Sequence, residues 1–417
     1  MKRYGFVLLA IFLIPAGLAF AGGEGQKSSP SGSAQGGIEF WNDKPNPELY
    51  IPFSAHLEKA SGVPVKIIDY PDVSAYQTAI QQSIRQPDAP GLFTWWSGFP
   101  LQTLVENGLL ADLTEVWTES LIPAGVNPGI ADSLKINGKI YAAPFNVLYN
   151  TVIYNKRVFA KAGVTREPAT WDEFLAACAK IKAQGITPIL LKNDTWASFI
   201  WFQQLVAVYD PQLYLDLCNG TEPYTGQRMR AVMALWKDML DKGYFSAPVQ
   251  EYIRAFSLDE YAMMLEPTNT PVEQLTKNFG MAAETDYDAF VVPGIGNNKR
   301  VVFFEVAPLC VAENSAQKAQ ALRVLRNYYA LEPQQFLTDE AGMVLTSKVT
   351  VQNATVRKMF GFANEPGTYQ FLLRFYENTP SELRDVVIDE MLRFILGQGS
   401  IDQVLTTIQQ KADSVFK

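Results

Sequence analysis

Four short segments combine indole rings with carboxylate, amide and hydroxyl groups, and they are the best candidates for contact with a ligand. They are Trp41-Asn42-Asp43, Asp69-Tyr70-Pro71-Asp72, Trp95-Trp96-Ser97 and Asn193-Asp194-Thr195-Trp196. A sugar needs this combination, because its C–H faces are apolar enough to lie on aromatic rings while its hydroxyls donate and accept hydrogen bonds. A single Trp at a strand end is more simply a core residue. Four such segments favour a binding pocket.

Motifs for covalent or metal chemistry are scarce. The sequence has no G-x-S-x-G, P-loop, H-E-x-x-H or C-x-x-C pattern. Its one histidine, His56, argues against a His-based metal site or a His general base. We therefore expect no metal and no cofactor. A carboxylate pair drawn from Asp43, Asp69, Glu266 and Glu305 could serve a glycosidase, and this alternative stays open because a sequence does not give their separation.

The bulk composition limits the class of protein. The chain has 417 residues, enough for two or three domains, with 48% hydrophobic and 19% charged residues, as in globular proteins. A net charge of -8 without a basic stripe disfavours nucleic acid as a partner, because binding phosphates needs clustered Lys and Arg.

The N-terminus has the pattern of a secretory signal peptide, residues 1–21. Lys2 and Arg3 precede an apolar run, and Ala19-Phe20-Ala21 fits a cleavage site before Gly22. An uncleaved anchor is the alternative, but the run is shorter than the roughly 20 residues of a spanning helix. Gly22 stands where a lipoprotein would have Cys, so we expect a periplasmic protein without a lipid. Residues 22–37 are Gly/Ser-rich and predict a flexible linker.

Strand and helix patterns alternate after this linker. "GIEFW", "VPVKIID" and "GLFTWW" predict strands, with helices over 48–61 and 74–86 between them. This order indicates a parallel sheet with helices on both faces, in which ligands bind beyond the carboxyl ends of the strands. The first three of the four segments follow these strands.

A second α/β series begins near residue 170. Thr170 and Glu173 predict a capping box for a helix that stops at Gly185, and "ITPILLK" predicts the next strand. Further helices are expected over 228–242 and from "TPSE", with Thr379 as the cap. Cys178, Cys218 and Cys310 are expected to be buried free thiols, although one pair is possible.

The segment over residues 136–159, "INGKIYAAPFNVLYNTVIYNKRVF", is too long and too mixed for one strand of an ordinary sheet. It lies between the two α/β series. We interpret it as a strand that crosses from one lobe to the other, which is where a hinge would be.

The sequence over residues 137–189, from "NGKIYAAPFN" to "KAQGITPI", resembles the signature of extracellular solute-binding proteins that serve carbohydrate ABC importers, the family that includes maltose-binding protein. Similar stretches are "IEFWNDKPNPEL", "GLFTWWSGFPLQTLVENGLLADL" and "LGQGSIDQVL". The resemblance implies an α/β, two-lobed type II periplasmic-binding-protein fold with a mainly parallel sheet in each lobe. It also implies a ligand cleft at the hinge, a membrane permease as partner, a monomer and no enzymatic activity.

The resemblance also implies lobe boundaries and site residues. The first lobe would take residues 38–147 and 287–313, and the second 148–286 and 314–417. The implied ligand-binding residues are Trp41, Asn42, Asp43, Asp69, Trp95, Trp96, Ser97, Asn146, Trp196, Glu266, Asn269 and Glu305.

Two departures from the family pattern bear on the ligand. "MMLEPTNTPVEQL" lacks a Trp, and Leu148 stands where maltose-binding protein has a sugar-contacting acid, so a maltodextrin is not expected. Phe303, Phe304 and Glu305 replace a Gly-rich approach, which suggests a smaller site for a monosaccharide or small oligosaccharide. A secreted glycoside-processing enzyme and a receptor for another solute, such as a polyol or sugar phosphate, remain alternatives. For a phosphate the candidate cations are Lys44 and Arg384.

Overall fold

The computed structural model describes residues 36–193, 196–267, 270–363, 365 and 367–417, with the backbone alone described at 196, 197 and 270. The predicted signal peptide, the predicted linker up to residue 35, Asn269 and the side chain of Trp196 lie outside the described residues.

Strands and helices alternate as predicted over residues 38–106, and several helices and strands then follow one another in the rest of the first half of the chain. The elements are β1 (Ile38–Asn42), α1 (Pro47–Ser61), β2 (Val65–Asp69), α2 (Val73–Ser83), β3 (Leu92–Thr94), α3 (Phe99–Glu106), α4 (Thr114–Val116), α5 (Ile122–Ala124), α6 (Gly129–Asp132), β4 (Lys135–Ile136), β5 (Lys139–Ile140), β6 (Ala143–Asn155), α7 (Lys156–Lys161), α8 (Trp171–Ala183) and β7 (Thr187–Lys192). A π-helical turn, Trp117–Leu121, joins α4 to α5.

The second half adds more helices than strands. The elements are α9 (Trp196–Tyr209), α10 (Pro211–Cys218), α11 (Gln227–Asp241), β8 (Phe245–Val249), α12 (Tyr252–Ser257), β9 (Tyr261–Pro267), α13 (Thr270–Lys277), β10 (Tyr287–Phe290), β11 (Arg300–Val311), α14 (Lys318–Tyr328), α15 (Leu331–Ala341), α16 (Ala354–Phe362), β12 (Tyr369–Leu373), α17 (Phe375–Asn378), α18 (Ser381–Ile395) and α19 (Ile401–Val415).

One curled sheet runs through the described part of the chain, in the order β2-β1-β3-β11-β6-β9-β7-β8, with β10 paired to β6 and β12 paired to β11. β1 is parallel to both β2 and β3, and β7 is parallel to β8 and β9. The carboxyl ends of β1, β2 and β3 therefore share one edge, as predicted.

Of the segment 136–159 that we interpreted as one crossing strand, residues 143–155 form β6, whereas β5 precedes it and α7 begins at Lys156. The first part of β6, Ala143 to Asn150, pairs with β11, while Asn150 to Tyr154 pairs with β9. The register with β11 shifts between Ala307 and Pro308, where Pro308 lies opposite Pro144. Proline has no N–H for the ladder, so an irregularity is expected there. β6 thus joins the strands of the first series to those of the second.

Buried side chains form two clusters. The first includes Phe40, Phe93 and Tyr328, and the second includes Trp236, Met263 and Phe303. Helices α14 and α15 pack against α1. Residues 318–341 therefore contribute to the core around β1–β3, although the resemblance places 314–417 in the second lobe.

The predicted caps of α8 and α18 were partly wrong. The Thr170 side chain caps α8 by accepting from the Glu173 N–H at 3.2 Å, but the Glu173 carboxylate accepts from the Ala169 N–H and so does not complete a capping box. Thr379 does not cap α18, because Pro380 occupies that position and the Thr379 hydroxyl contacts the Cys218 sulfur at 3.6 Å.

The three cysteines are free and buried, as expected. Within the described residues, no helix is long and apolar enough to cross a membrane.

Candidate functional site

The turns after β1 and β2 are tied together by a buried amide. The Asn42 side chain donates to the Asp69 carboxylate at 2.8 Å and to the Lys44 carbonyl at 2.8 Å, and it accepts from the Lys44 N–H at 3.0 Å. Asn42 is fully buried. Its hydrogen bonds fix the loop that carries Asp43, which makes Asn42 a support for the site.

Asp43 links the turn after β1 to the end of β3. Its carboxylate accepts from the Thr94 hydroxyl at 2.6 Å and from the Lys44 ammonium at 2.9 Å. The Asp43 N–H also donates to the Thr94 hydroxyl at 3.1 Å. These contacts orient the Asp43 carboxylate at the shared edge of the sheet.

Aromatic rings line the same edge in a continuous chain. Ring centroids are 5.4 Å apart for Trp41 and Tyr70, 5.3 Å for Tyr70 and Tyr76, 6.1 Å for Tyr76 and Trp96, and 5.0 Å for Trp95 and Trp96. Trp41, Tyr70 and Trp96 are half-buried, so each has ring surface to offer a ligand. Trp95 is 6% exposed and lies beneath them.

Tyr76 supports this aromatic edge from below. Its hydroxyl donates to the Thr94 carbonyl at 2.5 Å and lies 3.3 Å from the Trp41 carbonyl. Burial raises the pKa of Tyr76 well above its usual value, so the hydroxyl stays protonated as a donor. Asp72 has a different local role, since its side chain accepts from the Ala75 N–H and caps α2.

Several buried polar atoms after β3 and on β6 have no hydrogen-bond partner among the described residues. Trp95 Nε1 and Ser97 Oγ lie in the turn after β3, and Asn146 Oδ1 lies on β6. Two further atoms of β6 that the sequence did not indicate, Asn150 Nδ2 and Thr151 Oγ1, lie beside the end of β9. Leaving such a group unsatisfied costs about 1–3 kcal/mol. Groups of this kind are expected where a ligand completes the hydrogen bonding.

The strands β3 and β12 approach the same part of β11 from opposite ends. The Trp95 N–H donates to the Pro308 carbonyl at 2.9 Å, and the Arg374 N–H donates to the Phe304 carbonyl at 3.0 Å. The carboxyl ends of β3 and β12 therefore face each other across Glu305, Val306 and Ala307. This places the turn after β3 opposite α17.

Arg374 organises the α17 side. Its guanidinium contacts the Glu305 carboxylate at 2.7 Å and holds the Glu377 carboxylate with two hydrogen bonds, at 2.5 and 3.0 Å. Burial would lower the pKa of Arg374, but Glu305 and Glu377 raise it, so the guanidinium stays charged. Burial raises the pKa of Glu377, an effect that Arg374 opposes. The Tyr376 ring lies beneath the Arg384 guanidinium, 4.0 Å from ring centroid to Cζ.

Gly98 allows a close approach between the turn after β3 and α17. Its φ of 69° and ψ of −136° suit only glycine, and a Cβ there would collide with the Glu377 carbonyl oxygen. The turn that carries Trp95, Trp96 and Ser97 thus lies directly against α17.

A second pair of strand ends carries an ion pair. Lys192 at the end of β7 lies 3.2 Å from Glu266 near the end of β9, and both side chains are largely buried. The nearby Asn193 amide donates to Gln250 at 2.7 Å. The predicted Asn269 and the Trp196 side chain lie outside the described residues.

The structure thus brings Trp41, Asn42, Asp43, Asp69, Trp95, Trp96 and Ser97 to one edge of the sheet. Glu305 lies at the crossing strands, opposite Leu148 of β6, and Asn146 pairs with Ala307. Sequence reasoning missed Tyr76, Thr94, Arg374 and Glu377. Arg374 and Glu377 have a helical i, i+3 spacing, but no sequence signal connects them with Glu305.

The interpretation of the approach to the site was wrong for Phe303, whereas Phe304 and Glu305 are half-buried and their part of it stays a prediction. The Phe303 side chain is fully buried and packs against Tyr214 in the second cluster, with ring centroids 4.8 Å apart. It therefore does not narrow a pocket at this edge. Glu305 is the residue of the "FFE" sequence that contacts Arg374.

Comparison with known proteins gives a family match over most of the chain. A profile of the bacterial extracellular solute-binding proteins matches residues 43–343. A binding protein of Brucella abortus is 25% identical over 354 residues, which cover 76% of this chain and 82% of the relative. A protein of Rhizobium meliloti named as a sugar-binding periplasmic protein is 36% identical over 127 residues, 30% of each chain.

Solved structures share the fold. The bacterial solute receptor AcbH, described as preferring β-D-galactopyranose, superposes with a TM-score of 0.76 at 20% identity over 92% of this chain and 100% of its own. A chitin oligosaccharide binding protein also superposes with a TM-score of 0.76 at 20% identity, over 91% of this chain and 98% of its own. At this level of identity the likeness concerns the architecture.

Proposed function

This chain belongs to the bacterial extracellular solute-binding proteins, and from that premise we propose that it captures a carbohydrate and delivers it to the permease of an ABC importer. The ligand would be a mono- or small oligosaccharide. The protein would act in the periplasm, as a monomer, after removal of residues 1–21. Relatives named as sugar-binding periplasmic proteins and as an ABC transporter extracellular-binding protein support this proposal.

The observation that carries the proposal is the edge formed after β1, β2 and β3. Half-buried rings of Trp41, Tyr70 and Trp96 lie beside the Asp43 carboxylate and beside Trp95 Nε1 and Ser97 Oγ, which lack partners among the described residues. Rings supply stacking faces, and the polar atoms supply a donor, an acceptor and a hydroxyl. A polyhydroxylated ring can use all of them together.

Capture would involve closure of two lobes about β6 and β11. We keep the implied boundaries, 38–147 plus 287–313 and 148–286 plus 314–417, with one change. Because α14 and α15 pack against α1, we propose that residues 318–341 move with the first lobe. The turn at Gly98 and helix α17 would then form one contact between the closing lobes.

The enzymatic alternative is less well supported by the environment of the carboxylates. Asp43 contacts Lys44, Glu266 contacts Lys192 and Glu305 contacts Arg374. A glycosidase needs one carboxyl group that is protonated to act as the acid. Carboxylates beside cations are better suited to accept hydrogen bonds from sugar hydroxyls.

A binding screen with product analysis tests the proposal. The mature protein would be mixed with neutral mono- and disaccharides, and its melting temperature and the sugar composition would be measured. At 100 times its dissociation constant a ligand adds about 2.7 kcal/mol to the stability, so a bound sugar gives a clear rise. Stabilisation with unchanged sugar supports a receptor. Sugar cleavage would support the enzyme instead, and no stabilisation by any sugar would contradict the proposal.

A further inference from the structure

The cations at the candidate site each contact a carboxylate. Lys44 lies 2.9 Å from Asp43, and Lys192 lies 3.2 Å from Glu266. Arg374 contacts both Glu305 and Glu377. The Arg384 Nε lies 2.8 Å from Asp385 while the guanidinium covers the Tyr376 ring. In the described part of the chain, each of these four cations already pairs with a carboxylate, so an anionic ligand would have to compete with that carboxylate.

The carboxylates also outnumber the cations. Asp69 accepts from the neutral amide of Asn42 and has no ion-pair partner among the described residues. Arg374 is shared between two carboxylates. The site therefore has an excess of negative charge, which repels an anion and leaves a neutral ligand unaffected.

Burial makes two of these pairs, those of Arg374 and Lys192, difficult to rearrange. The side chains of Arg374 and Glu377 are 7% and 2% exposed, and those of Lys192 and Glu266 are 15% and 5% exposed. If an anionic ligand took one of these cations, the original carboxylate would be left buried without its partner. Breaking a buried pair in this way is strongly unfavourable.

Neutral hydroxyl groups, in contrast, have partners at the edge after β3. Trp95 Nε1 is a buried donor without a partner among the described residues, and Ser97 Oγ can donate or accept. Asn150 Nδ2, on β6 beside the end of β9, is a second donor of this kind. Resting on the proposed function, we infer that the ligand is an uncharged polyhydroxylated compound and that the site excludes sugar acids and sugar phosphates.

Matched sugars test this inference. Affinities would be measured by calorimetry for galactose, galacturonic acid and galactose 6-phosphate, for the same three forms of glucose, and for neutral disaccharides. At least one neutral sugar should bind, with its acid and phosphate weaker by about 100-fold or more. An acid or phosphate that binds as tightly as its neutral form would overturn the inference while leaving sugar binding intact. Failure of every compound to bind would overturn the proposed function and this inference with it.

The Glu305→Gln variant identifies the source of the selectivity. It replaces one carboxylate beside Arg374 by a neutral amide with little change of shape. The ratio of the affinity for the neutral sugar to the affinity for its charged forms should therefore fall by about tenfold. Glu58→Gln is the matched control, since Glu58 is exposed near the end of α1 and the change in net charge is the same. In the control, the ratio of the affinity for the neutral sugar to the affinity for its acid or phosphate should equal that of the parent. If this ratio is unchanged in Glu305→Gln, or falls equally in both variants, a local charge effect is contradicted.

Discussion

Gly98 and Glu377 lie in direct contact, although one belongs to the turn after β3 and the other to α17. A Cβ at position 98 would collide with the Glu377 carbonyl oxygen, and the backbone at Gly98 has a φ of 69°. The same glycine begins the helix α3 that follows the Trp95-Trp96-Ser97 turn. The contact therefore connects the aromatic edge with the Arg374 cluster.

Replacing Gly98 by Ala should separate these two surfaces and weaken ligand binding by about tenfold or more, since the strain and the collision both oppose the contact. Gly108→Ala is a suitable control, because Gly108 has a φ of 67° but no atom within 4 Å of a Cβ. Both variants should lose some stability in melting experiments. If calorimetry gives the same ligand affinity for Gly98→Ala and the parent, the contact between Gly98 and Glu377 is not needed for ligand binding.

The aromatic edge should contribute at least two stacking faces to one sugar, drawn from Trp41, Trp95, Trp96 and Trp196. Each stacking Trp→Ala change should cost on the order of 2 kcal/mol of binding, roughly a thirty-fold loss of affinity. Trp236→Ala is the core control, because Trp236 is fully buried and should affect mainly the melting of the free protein. If all four variants lose stability and none loses affinity, these residues are core residues.

The Trp95 indole N–H should donate to the ligand, because it is buried without a partner among the described residues. Trp95→Phe keeps an aromatic ring and removes this donor. We expect a loss of about 1–3 kcal/mol of binding with little change in the stability of the free protein. Calorimetry with the best sugar measures the first quantity and thermal melting the second. Unchanged affinity would mean that the N–H does not reach the ligand.

Arg374, with two acidic partners, should matter for stability far more than an exposed arginine with three. Arg374→Met leaves Glu305 and Glu377 without their cation, and we expect a loss of about 3–5 kcal/mol in the free energy of unfolding. Arg228 contacts Asp210, Asp216 and Glu222 on the surface, with 37% of its side chain exposed. Arg228→Met should cost about 1 kcal/mol or less. Denaturant titrations measure the free energy of unfolding of both variants. Equal losses in Arg374→Met and Arg228→Met would contradict the larger role of the buried arginine.

The crossing strand β6 should act as a hinge around 145–151, and ligand should shift the protein towards a closed form because it contacts both lobes only when they close. Small-angle scattering should then show a smaller radius of gyration at saturation with a tight ligand. An unchanged radius would count against closure, unless the free protein already scatters as a closed form.

Export should remove residues 1–21 and leave Gly22 as the first residue, because the basic start, the apolar run and Ala19-Phe20-Ala21 follow the pattern of a signal peptide. The intact mass of protein recovered from the periplasm measures this. A retained Met1 or the added mass of a lipid would contradict it.

The sequence by itself determined the elements whose signals are local. The short apolar stretches "GIEFW", "VPVKIID" and "GLFTWW" predicted β1, β2 and β3, and Thr170 and Gly185 predicted the limits of α8. Because parallel neighbours end at one edge, the sequence also predicted that Asp43, Asp69 and Trp95 would come together. The sequence also predicted an extended crossing segment over 136–159, of which residues 143–155 form β6.

Only the tertiary structure decided which residues meet across the crossing strands. Glu305 contacts Arg374, whereas its neighbour but one, Phe303, packs in the core against Tyr214. The contact of Gly98 with Glu377 has no counterpart in any local pattern. The physical reason is that Glu305 and Phe303 lie on the same face of β11, so their different partners depend on which distant segments pack against each position. The positions of Glu305, Arg374 and Glu377 therefore depend on strand register and on packing between segments distant in sequence, and local propensity does not determine them.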